Sequence, residues 1–190
     1  MIEIGKYLYH MTHVNNLTGI MDYGILSDAL LRQYGIEIDD ISDPEVQRWR
    51  NEREPIFKRS IHEYAPLYIN PKNPMLYRRK DIQHEIVILA VYEDVLKANK
   101  QHVFTDGNAA SKATLFSSNI DILKNSAKVL FAEYWTDYKD GKRRRCAEVL
   151  VYPRVETEFI EHIVCFNENA QIQAQRETDI TAIVDKDFYF

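Results

Sequence analysis

The chain has 190 residues, 45% hydrophobic and 28% charged, with a formal net charge of −5 at pH 7. That length and apolar content suit a single domain with a real core and argue against disorder. The acidic balance excludes a generally basic nucleic-acid coat, so any polyanion must bind a local patch.

In chain order, Lys6 to Met11 alternates aromatic and apolar residues as a strand does. Thr12 offers a helix cap, and Leu17, Ile20 and Met21 follow at helical spacing up to Gly24, which is suited to ending the helix in a left-handed conformation. His10-Met11-Thr12 thus falls at a strand-to-helix junction, where backbone N–H groups commonly hold anions. His10 and His13 form a His-x-x-His pair, but two histidines alone make a weak metal signal, and no metal is expected. The acidic cluster Glu37, Asp39, Asp40 and Asp43 leads to Asp43-Pro44, a helix start for Glu45 to Glu54 with Arg48, Arg50 and Arg53 along it.

Tyr64 to Ile69 reads as a strand, and Pro71 and Pro74 then impose a tight turn before Arg78-Arg79-Lys80. His84 to Tyr92 is the clearest strand, and Asp94 to Lys100 a short helix. Val103-Phe104 ends a strand at Thr105 to Asn108, a turn that opens a predicted helix through Phe116. Asp121 to Asn125 and Lys128 to Trp135 are predicted helical. Asp140-Gly141 is a turn before the basic run Lys142, Arg143, Arg144, Arg145, which reads as a loop. Glu148 then stands at the entrance of a buried strand, Val149 to Tyr152, where a carboxylate can face a cleft on a rigid backbone. Strands Ile160 to Phe166 and Thr181 to Asp185 flank a polar helix, Glu168 to Arg176. The irregular mixture gives α+β as the fold class.

Cys146 and Cys165 lie far apart, which suggests neither a disulfide framework nor a cysteine zinc site. No basic-then-apolar signal opens the chain and no apolar run approaches about 18 residues, so a soluble cytoplasmic protein without a membrane span is expected. Phosphate-loop, dinucleotide and nucleophile-elbow patterns are missing. The residues alone therefore reach a soluble α+β enzyme or binding domain with a polar cleft, working by acid–base or electrostatic chemistry. A metal-independent nuclease using His10, His13 and Glu148, and a silent nucleic-acid-binding domain, stay open at this point.

A chain-wide resemblance narrows this. Tyr9-His10-Met11-Thr12-His13 with Asn16-Leu17, Gly19-Ile20 and Gly24 resembles the opening motif of the DarT family, toxins that ADP-ribosylate DNA bases. Val46 to Asn51 resembles its helical arginine motif. Ile61 to Tyr68, Pro71 to Tyr77, Val103 to Asp106, Ala147 to Tyr152 and the ending Lys186 to Phe190 resemble further family segments in the same order. Each match is weak; the ordered set is specific.

The resemblance implies a single ADP-ribosyltransferase domain over residues 1–190, a split β-sandwich core with surrounding helices. It implies NAD as co-substrate, single-stranded DNA as acceptor and a DarG-type macrodomain antitoxin as partner. By the same resemblance Glu148 and Arg50 are catalytic, with Arg48 the alternative match to Arg50. His10, Met11, Thr12, Gly19, Ser27 and Arg50 contact NAD, although Ser27 replaces the apolar residue expected there. Lys142, Arg143, Arg144 and Arg145 lie in the loop that presents the target base, and are expected to grip DNA phosphates. Tyr64, Tyr68 and Tyr77 are candidates for stacking, and Arg78-Arg79-Lys80 for a second phosphate track. The same fold acting on RNA or protein is the alternative.

Overall fold

The computed structural model describes residues 5–43 and 48–190. Its organising strand is β4 (Ile86–Tyr92), an unbroken run of β-branched and apolar residues buried on both faces. The two-residue period of a strand sends Val87, Leu89 and Val91 into one apolar cluster and Ile86 and Ile88 into another. β1 (Tyr7–His13) pairs antiparallel with it from Tyr7–Tyr92 to His13–Ile86, and β9 (Ile160–Cys165) pairs on its other side. β10 (Thr181–Val184) adds parallel to β9 after helix α7 (Glu168–Glu177).

A second group of four strands contains β3 (Ala65–Tyr68), β7 (Glu148–Val151), β5 (His102–Thr105) and β6 (Phe116–Ser117), in that spatial order. The two groups form one eight-stranded ladder, β10-β9-β4-β1-β3-β7-β5-β6. Its middle is nearly open: between β1 and β3 the register is the single pair Tyr9–Tyr68. Pro66 sits on this side of β3, where a missing N–H costs no ladder bond, and its carbonyl oxygen meets the His10 imidazole instead. The fold is thus α+β with the sheet split along its centre, and the split is where a cleft opens.

α1 (Leu17–Tyr23) and β2 (Ile25–Leu26) cover one end of the sheet, and β2 pairs with β8 (Arg154–Val155). Gly24 ends α1 with φ +78, and a Cβ there would lie 2.3 Å from the Val155 carbonyl oxygen. This is a positive-φ, extended conformation (ψ −177) rather than the expected left-handed helical one. α2 (Asp28–Tyr34), α3 (Pro74–Arg78), α4 (Val95–Ala98), α5 (Ala127–Leu130) and α6 (Gly141–Arg145) are further α-helices, and short 3-10 turns such as Ile61–Glu63 and Ile120–Asn125 lie between them.

Four local expectations are corrected. Thr12 stays in β1, and the side chain that caps the following turn is that of His13, which accepts from the Asn15 N–H at 3.2 Å. The strand-to-helix junction therefore falls after His13. The first residues of the expected helix Glu45 to Glu54 lie outside the described residues; among the described ones only Arg48 and Trp49 have helical backbone, and residues 50–54 do not. Residues 106–115 do not form a helix, because polar side chains take over the backbone donors: Asp106 accepts from Leu115 N–H and Asn108 from Ala110 N–H, each at 2.9 Å. The basic run is a helix rather than a loop, started by Asp140 at φ 57 and by Gly141, whose Cβ would lie 1.7 Å from the Trp135 carbonyl oxygen. No helix among the described residues is long and apolar enough to cross a membrane.

Candidate active site

The cleft at the split is a cavity of about 540 Å3, within the usual range of about 300–1,000 Å3 for small-molecule and cofactor sites. His10, Met11 and Thr12 from β1 line one wall, and Pro66 and Tyr68 from β3 the other. Residues 38–43 and α2 close over one end, while Asn108, Ser111, Lys142 and Arg143 line the opposite rim. The covering segment is fastened by side chains with no prominent sequence signal. Asn16 Nδ2 donates to Thr12 Oγ1 at 2.9 Å and to the Asp39 carbonyl at 3.0 Å, and its Oδ1 accepts from Asp39 N–H at 2.9 Å.

Arg50 lines the inner end of the cavity, and Glu148 lies directly behind it, outside the lining. Both guanidinium Nη atoms lie 3.4 Å from Glu148 Oε2, and the two residues are 8% and 1% exposed. That spacing exceeds the about 2.7–2.9 Å of a tight charge-assisted bond. Glu148 Oε1 accepts from the Ala109 N–H at 2.8 Å, and the Glu148 N–H donates to Thr105 Oγ1 at 3.0 Å. The hydroxyl of Thr105 donates to the Gly107 carbonyl at 2.7 Å. One carboxylate oxygen is thus fixed by backbone while the other faces the Arg50 guanidinium. Thr105 and Ala109 were not singled out from sequence; the signal lay in the Val103 to Asp106 motif and the turn after it.

Arg50 is held through its backbone. Its carbonyl accepts from His62 N–H at 3.2 Å and Ser60 Oγ at 3.1 Å. Behind it lies Glu54, 0% exposed, which accepts from the N–H groups of Ile56, Phe57 and Arg59 and from the Tyr64 hydroxyl. Burial acts to raise the Glu54 pKa, but the donors from Arg59, Phe57, Tyr64 and Ile56 outweigh it and hold the carboxyl below its ordinary value. This buried carboxylate knots the loop that presents Arg50. It was read from sequence only as the end of an exposed helix.

His10 Nδ1 lies 3.0 Å from the Pro66 carbonyl, which can only accept, so Nδ1 carries the proton. Burial lowers the His10 pKa, against a smaller raising effect of that bond, so the ring is neutral with Nε2 as an acceptor. His13, three residues on, projects from the opposite face of the strand toward Asp39 and Glu85, so the two rings do not converge. Burial pushes the Tyr68 hydroxyl up, with Glu148 adding to the effect, and pushes the Cys146 thiol up to about 12. Both are neutral near pH 7, and Cys146 is no nucleophile.

Of the remaining expected contacts, Gly19 lines a neighbouring hollow of about 120 Å3 that shares His10 and Thr12 with the main cavity. Ser27 lines neither: it is 1% exposed and its hydroxyl caps α2 by accepting from Leu30 N–H at 3.3 Å. The arginines of the basic run are engaged mostly with the protein itself. Arg145 is 4% exposed and donates to the carbonyls of Lys72, Val129 and Ala132 at 2.8–2.9 Å. Arg143 is held by Asp106 at 2.7 Å and Asp140 at 2.6 Å, and Arg144 by the Asn125 and Lys139 carbonyls. Three arginines thus build the site's frame, and Lys142 is the exposed cation of the run. The Arg78-Arg79 track is structural too: Arg78 pairs with Asp43 at 2.6 Å, and Arg79 donates to the Ile41 and Ser42 carbonyls.

A sheet split along its middle, with a carboxylate–guanidinium pair beside the resulting cleft, is the arrangement that the resemblance to the ADP-ribosyltransferase class implied. The chain belongs to the DarT family: the family model described as ssDNA thymidine ADP-ribosyltransferase, DarT, matches residues 9–190. The chain is 33% identical over 194 residues to a DNA ADP-ribosyl transferase–DNA ADP-ribosyl glycohydrolase fusion protein of Thermosipho africanus. That match covers 97% of this chain but only 50% of the fusion protein. A DNA ADP-ribosyl transferase of Thermus aquaticus is 28% identical over 179 residues, which are 88% of this chain and 78% of that protein. The solved structure of Thermus sp. 2.9 DarT in complex with ADP-ribosylated ssDNA superposes with a TM-score of 0.88 at 23% identity, covering 100% of this chain and 99% of that one. At that identity the likeness speaks for the fold.

Proposed function

We propose that residues 1–190 act as one ADP-ribosyltransferase domain that moves ADP-ribose from NAD to a thymine in single-stranded DNA. The observation that carries this reading is the buried Arg50–Glu148 pair beside the cleft, in a chain of the DarT family. In a thymidine nucleotide the ring nitrogen that bears a proton is N3. The N3–ribose C1′ bond forms, the bond from C1′ to nicotinamide breaks, and nicotinamide leaves with the electron pair while the N3 proton is released.

Breaking the nicotinamide bond develops positive charge on the ribose, as in glycoside hydrolysis. Glu148 accepts from a ribose hydroxyl and offsets that charge, a contribution of about 3–4 kcal/mol by analogy with other pre-organised electrostatic groups. Arg50 moves off Glu148 when NAD enters, and its cation serves the pyrophosphate or the charge that grows on the base as N3 loses its proton. His10, Met11, Thr12 and Gly19 hold the dinucleotide, with neutral His10 Nε2 accepting from a hydroxyl. Lys142 supplies a phosphate contact at the rim.

In Thermosipho africanus the related transferase is fused to a DNA ADP-ribosyl glycohydrolase. The corresponding partner here is a DarG-type macrodomain antitoxin that removes the modification, and the pair works in the cytoplasm, where NAD and exposed single strands coexist. The test is mass spectrometry of mixed-sequence single-stranded oligonucleotides incubated with the protein and NAD, beside Glu148→Ala. A gain of one ADP-ribose on thymine, lost in the variant, is expected. Labelling of RNA or protein in place of DNA would move the acceptor, and absence of NAD consumption would overturn the reading.

A further inference from the structure

The expected DNA grip at Lys142 to Arg145 is largely spent on holding the fold, so an acidic protein must meet a polyanion elsewhere. The loop that presents Arg50 carries that charge. Residues 48–59 contain Arg48, Arg50, Arg53, Lys58 and Arg59 against Glu52 and Glu54, and Glu54 is buried and bound by its own loop. Arg48, Arg53 and Lys58 are exposed on it. Trp49, next to Arg50, is 48% exposed, an uncommon position for the largest apolar side chain.

Across the cleft mouth, the segment that supplies the Ala109 N–H to Glu148 carries one charge between residues 108 and 115, Lys112. Its Nζ lies 4.8 Å from the centre of the Trp49 ring. The contact therefore joins the two segments that bring Arg50 and Glu148 together, at the surface above them. An exposed indole beside lysine and arginine side chains is the chemistry that recognises single-stranded nucleic acid, with a base on the ring and phosphate on the cations.

We propose that Trp49 and Lys112 form a clamp for single-stranded DNA, in which the indole stacks the base next to the modified thymine and Lys112 takes its phosphate. Arg48 and Lys58 continue the phosphate track, while Arg53 Nη1 donates to the Lys58 carbonyl at 2.7 Å and holds that loop. The clamp rests on the DNA-modifying reading above and adds the place where the strand is held. The aromatic group Tyr77, Trp135 and Phe190 is the weaker platform, since its rings already meet edge to face with centroids 5.1–6.1 Å apart.

The test compares wild type, Trp49→Ala, Trp49→Phe and Lys112→Ala in oligonucleotide ADP-ribosylation, with NAD hydrolysis in the absence of DNA measured alongside. Trp49→Ala should raise KM for the oligonucleotide about tenfold or more, as loss of one base–aromatic stack does, and Trp49→Phe should recover most of it. NAD hydrolysis should stay within twofold in both. Lys112→Ala should flatten the slope of log KM against log salt by about 0.7, one single-strand phosphate contact. An unchanged oligonucleotide KM in Trp49→Ala while wild type labels DNA would overturn the clamp alone. An equal fall in NAD hydrolysis and transfer would also overturn it, showing that Trp49 acts through Arg50. No DNA labelling by wild type would overturn the underlying reading and the clamp with it.

Discussion

Arg50 and Glu148 lie 98 residues apart in sequence, yet guanidinium and carboxylate face each other at 3.4 Å, buried beside the cleft. Their separation is loose, and the second carboxylate oxygen is held firmly by the Ala109 N–H at 2.8 Å. A fixed carboxylate with a displaceable cation is what a site needs if substrate must replace one partner without disturbing the other.

Glu148→Ala should abolish transfer and also destabilise the protein, because a buried guanidinium is left without its counter-charge. Breaking one side of a buried pair costs about 3–5 kcal/mol. Urea denaturation should show that loss, and the double variant Arg50→Met/Glu148→Ala should recover part of it. Equal stability of Glu148→Ala and wild type would contradict the dependence of the buried Arg50 cation on this counter-charge.

Thr105→Val removes the hydroxyl that accepts from the Glu148 N–H. The variant should lower kcat about tenfold while leaving KM for NAD nearly unchanged, since Thr105 holds Glu148 and does not itself line the cavity. A rise in KM with kcat intact would instead assign Thr105 to binding.

Glu54 gives a pH dependence with a defined sign. Its folded pKa is depressed, so its contribution is fully present above the unfolded carboxylate value and is lost as pH falls through the folded one. Wild type should therefore lose more stability between about pH 5 and pH 3 than Glu54→Gln does. At pH 7 the variant should be less stable by about 1.5–3 kcal/mol, the scale of hydrogen bonds to a charged group. Parallel stability curves down to pH 3 would refute this.

Arg145→Ala and Lys142→Ala should separate frame from surface within one helical turn. Arg145→Ala strips donors from three carbonyls and should cost about 2 kcal/mol or more in denaturant titration. Lys142 is exposed, and its loss should change stability by less than about 0.5 kcal/mol.

Gly24→Ala should cost more than about 1 kcal/mol, because positive φ and a Cβ 2.3 Å from the Val155 carbonyl oxygen act together. Gly19→Ala, with open space around its Cβ position, is the matched control and should stabilise or leave the melting temperature unchanged.

The strands were legible because their causes are local. Ile86 to Tyr92 and Val149 to Val151 are continuous runs of residues suited to a two-sided core, and both form strands where the pattern puts them. The position of Glu148 was legible for the same reason: it heads the apolar run and is the first residue of β7. The ordered motifs further pointed to the family that the chain proves to belong to.

What the tertiary structure alone decided is which charges are free. Arg145 and Lys142 are both cations of one helical turn, but three carbonyls from distant segments converge on Arg145 while Lys142 is exposed to solvent. Glu54 looked like a solvated helix residue until the chain folded back to bring four donors around it. Periodicity reports the side a residue faces within its own element; the partner that will neutralise a charge comes from elsewhere in the chain, and only the folded packing determines it.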